Sequence, residues 1–281
     1  MLDRNALTTA AHALDPLPAT VARLAALVVR EDWSVADAAH LVEFDPALTG
    51  RLLRMANSAA TAGLAPVATV RDAILRVGIG PVLAFATASG LKKQLRRALP
   101  EYGLSEGQLW RHAVATALAA ELLSGPSRVV LPPEVFTAAL LHDVGKIVLA
   151  RFLDGEYLRR LADARRDGGA SSLDAEIEVL GVNHAELGAA IALHWTLPER
   201  LAAGIRHHHT PGDGGDVVCD GVYLANLAAK RIGEGLVMNE DDLTPDIAAL
   251  ERLGLTPMMW DAVCEELPGE FQQTLSQYAW D

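Results

Sequence analysis

Cysteine is scarce. Cys219 and Cys264 are the only two in 281 residues, and they form no CxxC pair. Two such thiols make no disulfide framework, so they read as reduced cysteines of a cytoplasmic protein. Positive charge is short as well: 24 Lys and Arg face 36 Asp and Glu, for a formal net charge of −12. A broad nucleic-acid-binding face needs clustered Lys and Arg, so that class is not expected. The basic run "LKKQLRR" at 91–97 reads as a solvated helix face. No stretch reaches the ~18 uninterrupted apolar residues of a membrane span, and "VLAFATASGL" falls far short. The N-terminal "MLDRNALTTAAHALD" has no apolar h-region or small-residue cleavage site, which argues against secretion. Strand-like alternation of Val, Ile and Thr is absent at useful length. The chain still has material for a core, because 51% of it is hydrophobic.

Helical periodicity fills most of what remains. Leu17, Val21, Leu24 and Val28 form one apolar stripe. Ser34 is placed to cap the next helix, with Asp37 three residues on as a weaker capping-box partner. Asp45 precedes Pro46, a cap followed by proline at N1. Thr69 caps "VRDAILRV", and Gly78 stands where a left-handed helix terminus wants glycine. The fold class is all-α. Pro100, Gly103 and Ser105 mark a soft boundary within residues 96–106. "GDGGD" at 212–216 reads as a flexible stretch, and residues 233–257 are polar and broken by Gly and Pro.

One apolar run contains a mismatch. "TAALLHDVGKIVLARF", residues 137–152, places His142 and Asp143 side by side where the pattern predicts burial. Burying such groups is costly unless they are paired or bind a metal. Two explanations stand: they satisfy each other's hydrogen bonds in a dry core, or they hold a metal ion. Further imidazoles favour looking beyond the pair. His112 lies on an apolar stripe with Leu109, Ala113 and Thr116. His184 opens a helix behind Asn183 as N-cap, with Glu186 at N3 to complete a reciprocal cap. His207, His208 and His209 end another helix before Pro211. Imidazoles with a carboxylate suit divalent Zn, Fe, Ni or Mn. Such an ion makes hydroxide available near neutral pH, and Lys146, three residues beyond Asp143, could neutralise a phosphate.

This ordered set carries a resemblance. "LLHDVGK", with "LWRH" upstream and "NHAELG" and "RHHH" downstream, resembles the HD superfamily of metal-dependent phosphohydrolases. "PLPATVARLAALV", "VADAAHLVEFDPALTGRLLRMANSA" and "VRDAILRVG" sharpen it to the HDOD family, bacterial signal-transduction domains related to HD-GYP proteins. The likeness spans roughly residues 14–232. It implies an N-terminal helical bundle over residues 1–100, packed on an HD-like helical domain over 101–281 that includes a C-terminal tail. Similarity to HD-GYP phosphodiesterases would make His112, His142, Asp143, His184, His208 and His209 metal ligands and Lys146 the phosphate-contacting base.

Departures from that pattern are as informative. Gln108 stands where those enzymes carry glutamate, Thr210 and Pro211 follow the histidine pair, and the closing aspartate corresponds to Asn226. A neutral amide is a poorer ligand for a hard dication than a carboxylate. Two functions follow from different classes. One is a non-catalytic signalling module that meets partner proteins in trans, or a small ligand such as a nucleotide second messenger, around a degenerate site. The other is a metal-dependent phosphohydrolase acting on a cyclic nucleotide. His12 and His40 receive no role, His194 is expected to cap or pack, and His207 to face away from His208. Trp33, Trp110 and Trp195 read as packing residues, and Arg51, Arg54, Asn57 and Ser58 as a solvated helix face.

Overall fold

A computed structural model describes residues 2–14, 17–57, 66–168, 171–235 and 243–277. The described residues are helical, with no strand; an isolated bridge joins Leu99 to Leu104 around the turn at Pro100–Tyr102. Ser58 lies outside the described residues.

The N-terminal half comprises α1 (Arg4–His12), α2 (Ala19–Val28), α3 (Val35–Glu43), α4 (Pro46–Ala56), α5 (Val70–Val77) and α6 (Ile79–Leu95). The caps expected at Ser34, Asp45 and Thr69 are all made, and Ser34 with Asp37 forms a full capping box. The stripe of Val21, Leu24 and Val28 is buried. Gly78 corrects its expectation in detail. Its φ of 87° is positive, but its ψ of 152° is extended rather than left-handed helical. That conformation, open to a residue without Cβ, ends α5 and starts α6 across a bend of 107°. Asn57 is no free surface residue: its amide donates to Leu53 and Val67 carbonyls, and its oxygen accepts from Val67 N. No single described helix is long and apolar enough to cross a membrane.

The remaining helices are α7 (Gln108–Ser124), α8 (Glu134–Leu141), α9 (Gly145–Leu149), α10 (Gly155–Gly168), α11 (Ser172–Leu180), α12 (His184–His194), α13 (Glu199–Arg206), α14 (Pro211–Gly214), α15 (Val217–Arg231), α16 (Ile247–Leu253) and α17 (Pro257–Gln277). Helix α8 is buried along its whole length and packs against α6, α7, α13 and α15. The stretch expected to be flexible at 212–216 instead turns once as α14, and Asp216 then caps α15. A Pro at N1 and Gly215 in the left-handed region, φ 59°, give that turn a start and a stop.

One apolar cluster runs from Leu7 to Phe271, so both halves share a core. Helix α6 packs on α7 and α8, while α1 crosses to α9 and α12. Leu2 N donates to the Leu180 carbonyl, and the exposed His12 stacks on His194 with ring centroids 3.8 Å apart. His12 therefore has a partner that its sequence neighbours did not reveal. Trp110 and Trp195 are buried as expected. Beyond α15 the tail also docks: α16 packs on α15, and α17 on α7 and α15.

Candidate metal centre

Three helix ends and the first turns of a fourth helix bring the site together. His142 and Asp143 follow the last residue of α8, and His208 and His209 follow the end of α13. His184 is the first residue of α12, and His112 projects from the first turns of α7. All six residues singled out as ligands converge, and all but His209 are essentially buried. They fall into two groups, His112, His142 and Asp143, and His184, His208 and His209, with ligand atoms within 4.8 Å of one another in each.

Asp143 stands between the groups. Its Oδ2 lies 3.7 Å from His112 Nε2 and 3.5 Å from His142 Nε2. Its Oδ1 lies 3.3 Å from His184 Nε2 and 3.8 Å from His208 Nε2, with no hydrogen bond to either. Lys146 Nζ donates to Oδ2 at 2.6 Å. Burial alone would raise the Asp143 carboxyl; Lys146, with the surrounding imidazoles, outweighs it and holds the group well below the usual carboxylate range.

The outer nitrogens decide what the inner ones can do. His142 Nδ1 meets the Ala139 carbonyl at 2.7 Å, and His208 Nδ1 meets the Ile205 carbonyl at 2.6 Å. These are last-turn carbonyls that α8 and α13 leave without a helical partner. His112 Nδ1 meets the Glu234 carbonyl at 2.6 Å, and His184 Nδ1 meets Glu176 Oε2 at 2.8 Å. An oxygen acceptor fixes hydrogen on Nδ1 and leaves a lone pair on Nε2. Each of these Nε2 atoms lies within 3.8 Å of an Asp143 oxygen, and His184 Nε2 also lies 3.1 Å from His209 Nε2. His112 Nε2 and His142 Nε2 lie only 3.0 Å apart, two acceptors face to face. A proton between them would relieve this, but burial pushes His112 down to about 3 and His142 to about 4. Burial likewise holds His208 and His209 well below the usual imidazole range.

A self-satisfied His–Asp pair is therefore not how the core accommodates these groups. His142 takes its tautomer from Ala139, and Asp143 Oδ1, His208 Nε2 and Asn226 Oδ1 are buried without a hydrogen-bond partner. Neutral imidazoles with fixed Nδ1–H, converging on one carboxylate, match the donor set of a divalent transition metal. The residues present fit the ion.

The departures from the phosphodiesterase pattern separate on inspection. Gln108 is exposed and its Oε1 accepts from Ser105 N at 2.6 Å, so it belongs to the start of α7 and not to the centre. Asn226 is buried in α15, one turn before Lys230, which lines the cavity over the centre. His207 is the C-cap of α13, outside both groups. Asn183 caps α12 through Glu186 N at 2.7 Å, but no capping box forms. The N–H of His184, the first residue of α12, donates to Glu176 at 2.7 Å.

Glu176 escaped the sequence reading. It is buried on α11, accepts from the His184 backbone N–H and from its Nδ1 through Oε2, and takes the Tyr102 hydroxyl on Oε1 at 3.1 Å. Burial opposes its ionisation, yet His184 lowers it below the usual range, while burial keeps the Tyr102 phenol protonated. A signal existed: Glu176 shares a helical face with Val179 and Leu180, a charge on an apolar stripe. The cysteines contribute no nucleophile, since burial pushes both thiols up to about 11.

Gly145 explains the glycine of "HDVGK". A Cβ there would overlap the His184 carbonyl and reach 2.8 Å from Gly188 N, both backbone atoms that cannot turn aside. Gly145→Ala should cost about 3 kcal/mol and push α12, with His184, off α9. Urea unfolding measures this; a loss below about 0.5 kcal/mol would mean that α9 and α12 slide freely.

A cavity of about 540 Å³ opens above the centre. Its wall carries Lys146, Arg165 and Lys230 beside Tyr102, with Leu104, Leu153, Leu161 and Leu173 as apolar surface. Lys146 Nζ also lies 5.8 Å from the centroid of the Tyr102 ring.

The model of the HDOD domain matches residues 14–211. An uncharacterized protein of Treponema pallidum is 27% identical over 196 residues, which make up 69% of this chain and 37% of that protein. The chain thus spans well under half the length of the curated relative it matches. Three solved structures are similar in fold. An HDOD domain protein of unknown function from Geobacter sulfurreducens gives a TM-score of 0.64 at 22% identity, covering 98% of this chain and 95% of that one. A candidate phosphohydrolase of Shewanella amazonensis gives 0.66 at 24%, covering 97% and 96%. A candidate signal-transduction protein of Marinobacter aquaeolei gives 0.72 at 23%, covering 97% and 64%. With the family model matching well over half its length, this chain belongs to the HDOD domain family.

Proposed function

We propose that this chain is a signalling protein whose centre holds divalent transition metal and whose cavity receives a phosphorylated small molecule, the occupied state being read by a partner protein in trans. It rests above all on four tethered imidazoles that bring their Nε2 atoms close to Asp143, where hydrogen bonding leaves buried acceptors unmatched. When bound, the metal would polarise a phosphoryl oxygen and lower the pKa of its water. His112, His142, Asp143, His184, His208 and His209 would hold it. Lys146 sits between Asp143 and the cavity, where a phosphate could share its protons, and Arg165 and Lys230 supply further positive charge. Leucine side chains and the Tyr102 ring offer an apolar surface for the rest of the ligand.

Binding without turnover is favoured by Asn226. The resemblance aligns this buried amide with the closing aspartate of the phosphodiesterases, and an amide there would supply less negative charge to bound metal than a carboxylate. The test is one sample measured twice. Elemental analysis after mild purification should find Fe, Mn, Zn or Ni, and calorimetry with mononucleotides and cyclic dinucleotides should detect binding without hydrolysis when Mn or Fe is added. Hydrolysis that disappears in His142→Ala would make the protein a phosphohydrolase instead. A chain that takes up no metal would leave only a polar cluster and end the proposal.

A further inference from the structure

The matched family region stops at residue 211, yet Glu234, beyond it, reaches the centre. At the end of α15, Glu234 N donates to the Ala229 carbonyl and Gly233 N to the Lys230 carbonyl, with Gly233 left-handed at φ 83°. This helix stop, with its paired backbone bonds, turns the chain back over α7. It delivers the Glu234 carbonyl to His112 Nδ1 at 2.6 Å. The turn is held by Arg111, the neighbour of His112, whose Nε donates to Glu234 Oε2 at 2.9 Å and whose Nη2 donates to Oε1. Arg111 in turn lies over the buried Phe271 ring of α17, its guanidinium carbon 5.0 Å from the centroid. On the other side of the turn, Arg231 stacks on Trp260 of α17 at 4.9 Å and pairs with Asp261 at 2.6 Å.

We propose that α17 sets the orientation of His112 through Phe271, Arg111 and Glu234, so that the C-terminal helix tunes metal affinity at the half of the centre built from His112, His142 and Asp143. The physical step is simple. Among the described residues the Glu234 carbonyl is the acceptor at His112 Nδ1, and the Arg111 pair with the Glu234 side chain adds to the backbone bonds that keep this carbonyl in place. Lifting α17 removes the aromatic face from Arg111, loosens the turn and lets His112 change tautomer or rotate. Arg111 and Phe271 are positioning residues, and α17 is the element through which a bound partner would act.

The inference rests on the metal-centre reading, so two readouts keep the failures apart. In chelated protein, nitrogen-15 NMR at neutral pH should find His112 protonated at Nδ1, and Arg111→Ala should mix the tautomers while His208 stays unchanged. In zinc titrations of the full chain, Arg111→Ala and Glu234→Ala should weaken one ion by about 10–100-fold and leave the other alone. Arg111→Lys should fall between, and Phe271→Leu, which keeps the position apolar but removes the aromatic face, should weaken the same ion. If Arg111→Ala binds both ions like the wild type and keeps the His112 tautomer, the relay is wrong. If the wild type binds no zinc but the tautomer shifts, the relay stands as an orienting device and the metal reading falls.

Discussion

Replacing Asp143 by asparagine should empty both halves of the centre at once. Its two oxygens face different imidazole groups, Oδ2 toward His112 and His142 and Oδ1 toward His184 and His208. It is also the only carboxylate in either group. An amide keeps the shape but removes the negative charge, and its NH2 presents hydrogen to a site built to accept cations. Zinc or manganese affinity should fall more than a hundredfold at both sites, beyond the roughly 10–100-fold of an outer-sphere change. His112→Ala should weaken only the first group and His184→Ala only the second. The metal-free fold should tolerate Asp143→Asn, because Lys146 is at the cavity wall and water can solvate it. Titrations of the three variants by calorimetry decide the matter: an Asp143→Asn protein that still holds one ion tightly would mean the carboxylate does not bridge.

The second large effect is acid sensitivity of the metal-free protein. An unfolded chain protonates its imidazoles near 6.5, whereas burial defers this to about 4 for His142 and about 3 for His112. Between those values the unfolded state binds more protons than the folded one, so stability must fall as pH falls. Each such group contributes a slope of about 1.4 kcal/mol per pH unit. His112 and His142 together therefore give about 3 kcal/mol per unit below pH 6.5, with His208 and His209 acting in the same direction. Asp143, whose folded pKa is depressed, adds a further loss once pH drops below the ordinary 3.8. Denaturant unfolding in chelator at pH 7, 6 and 5 measures the slope. A flat profile would mean that a proton already bridges His112 and His142, which would remove the electrostatic case for a metal there.

The sequence made the centre's inner atoms legible and its outer atoms nearly invisible. His112, His142 and Asp143 stood out as polar where helical period predicts an apolar residue, the family resemblance added His184, His208 and His209 at helix ends, and the structure gathers all six. The partners that orient them are mostly backbone carbonyls, of Ala139, Ile205 and Glu234, and a carbonyl has no side-chain signature to read. The capping residues Ser34, Asp45, Thr69 and Asn183 were legible for the opposite reason, since a cap is written within four residues. Glycine proved ambiguous. At Gly78 it serves a bend, at Gly145 a close helix approach, and around 212–216 it does not prevent a helical turn.

The carbonyls of Ala139 and Ile205 are free to hold imidazoles only because α8 and α13 stop where they do. Ligand geometry is thus recorded as two helix lengths. Adding one residue to either would swing its histidine by about 100° around the axis. Single-residue insertions or deletions in α8 or α13 should therefore disturb the centre even where volume-conserving apolar substitutions leave it intact, and deletion scanning would trace its outline without reference to any ligand.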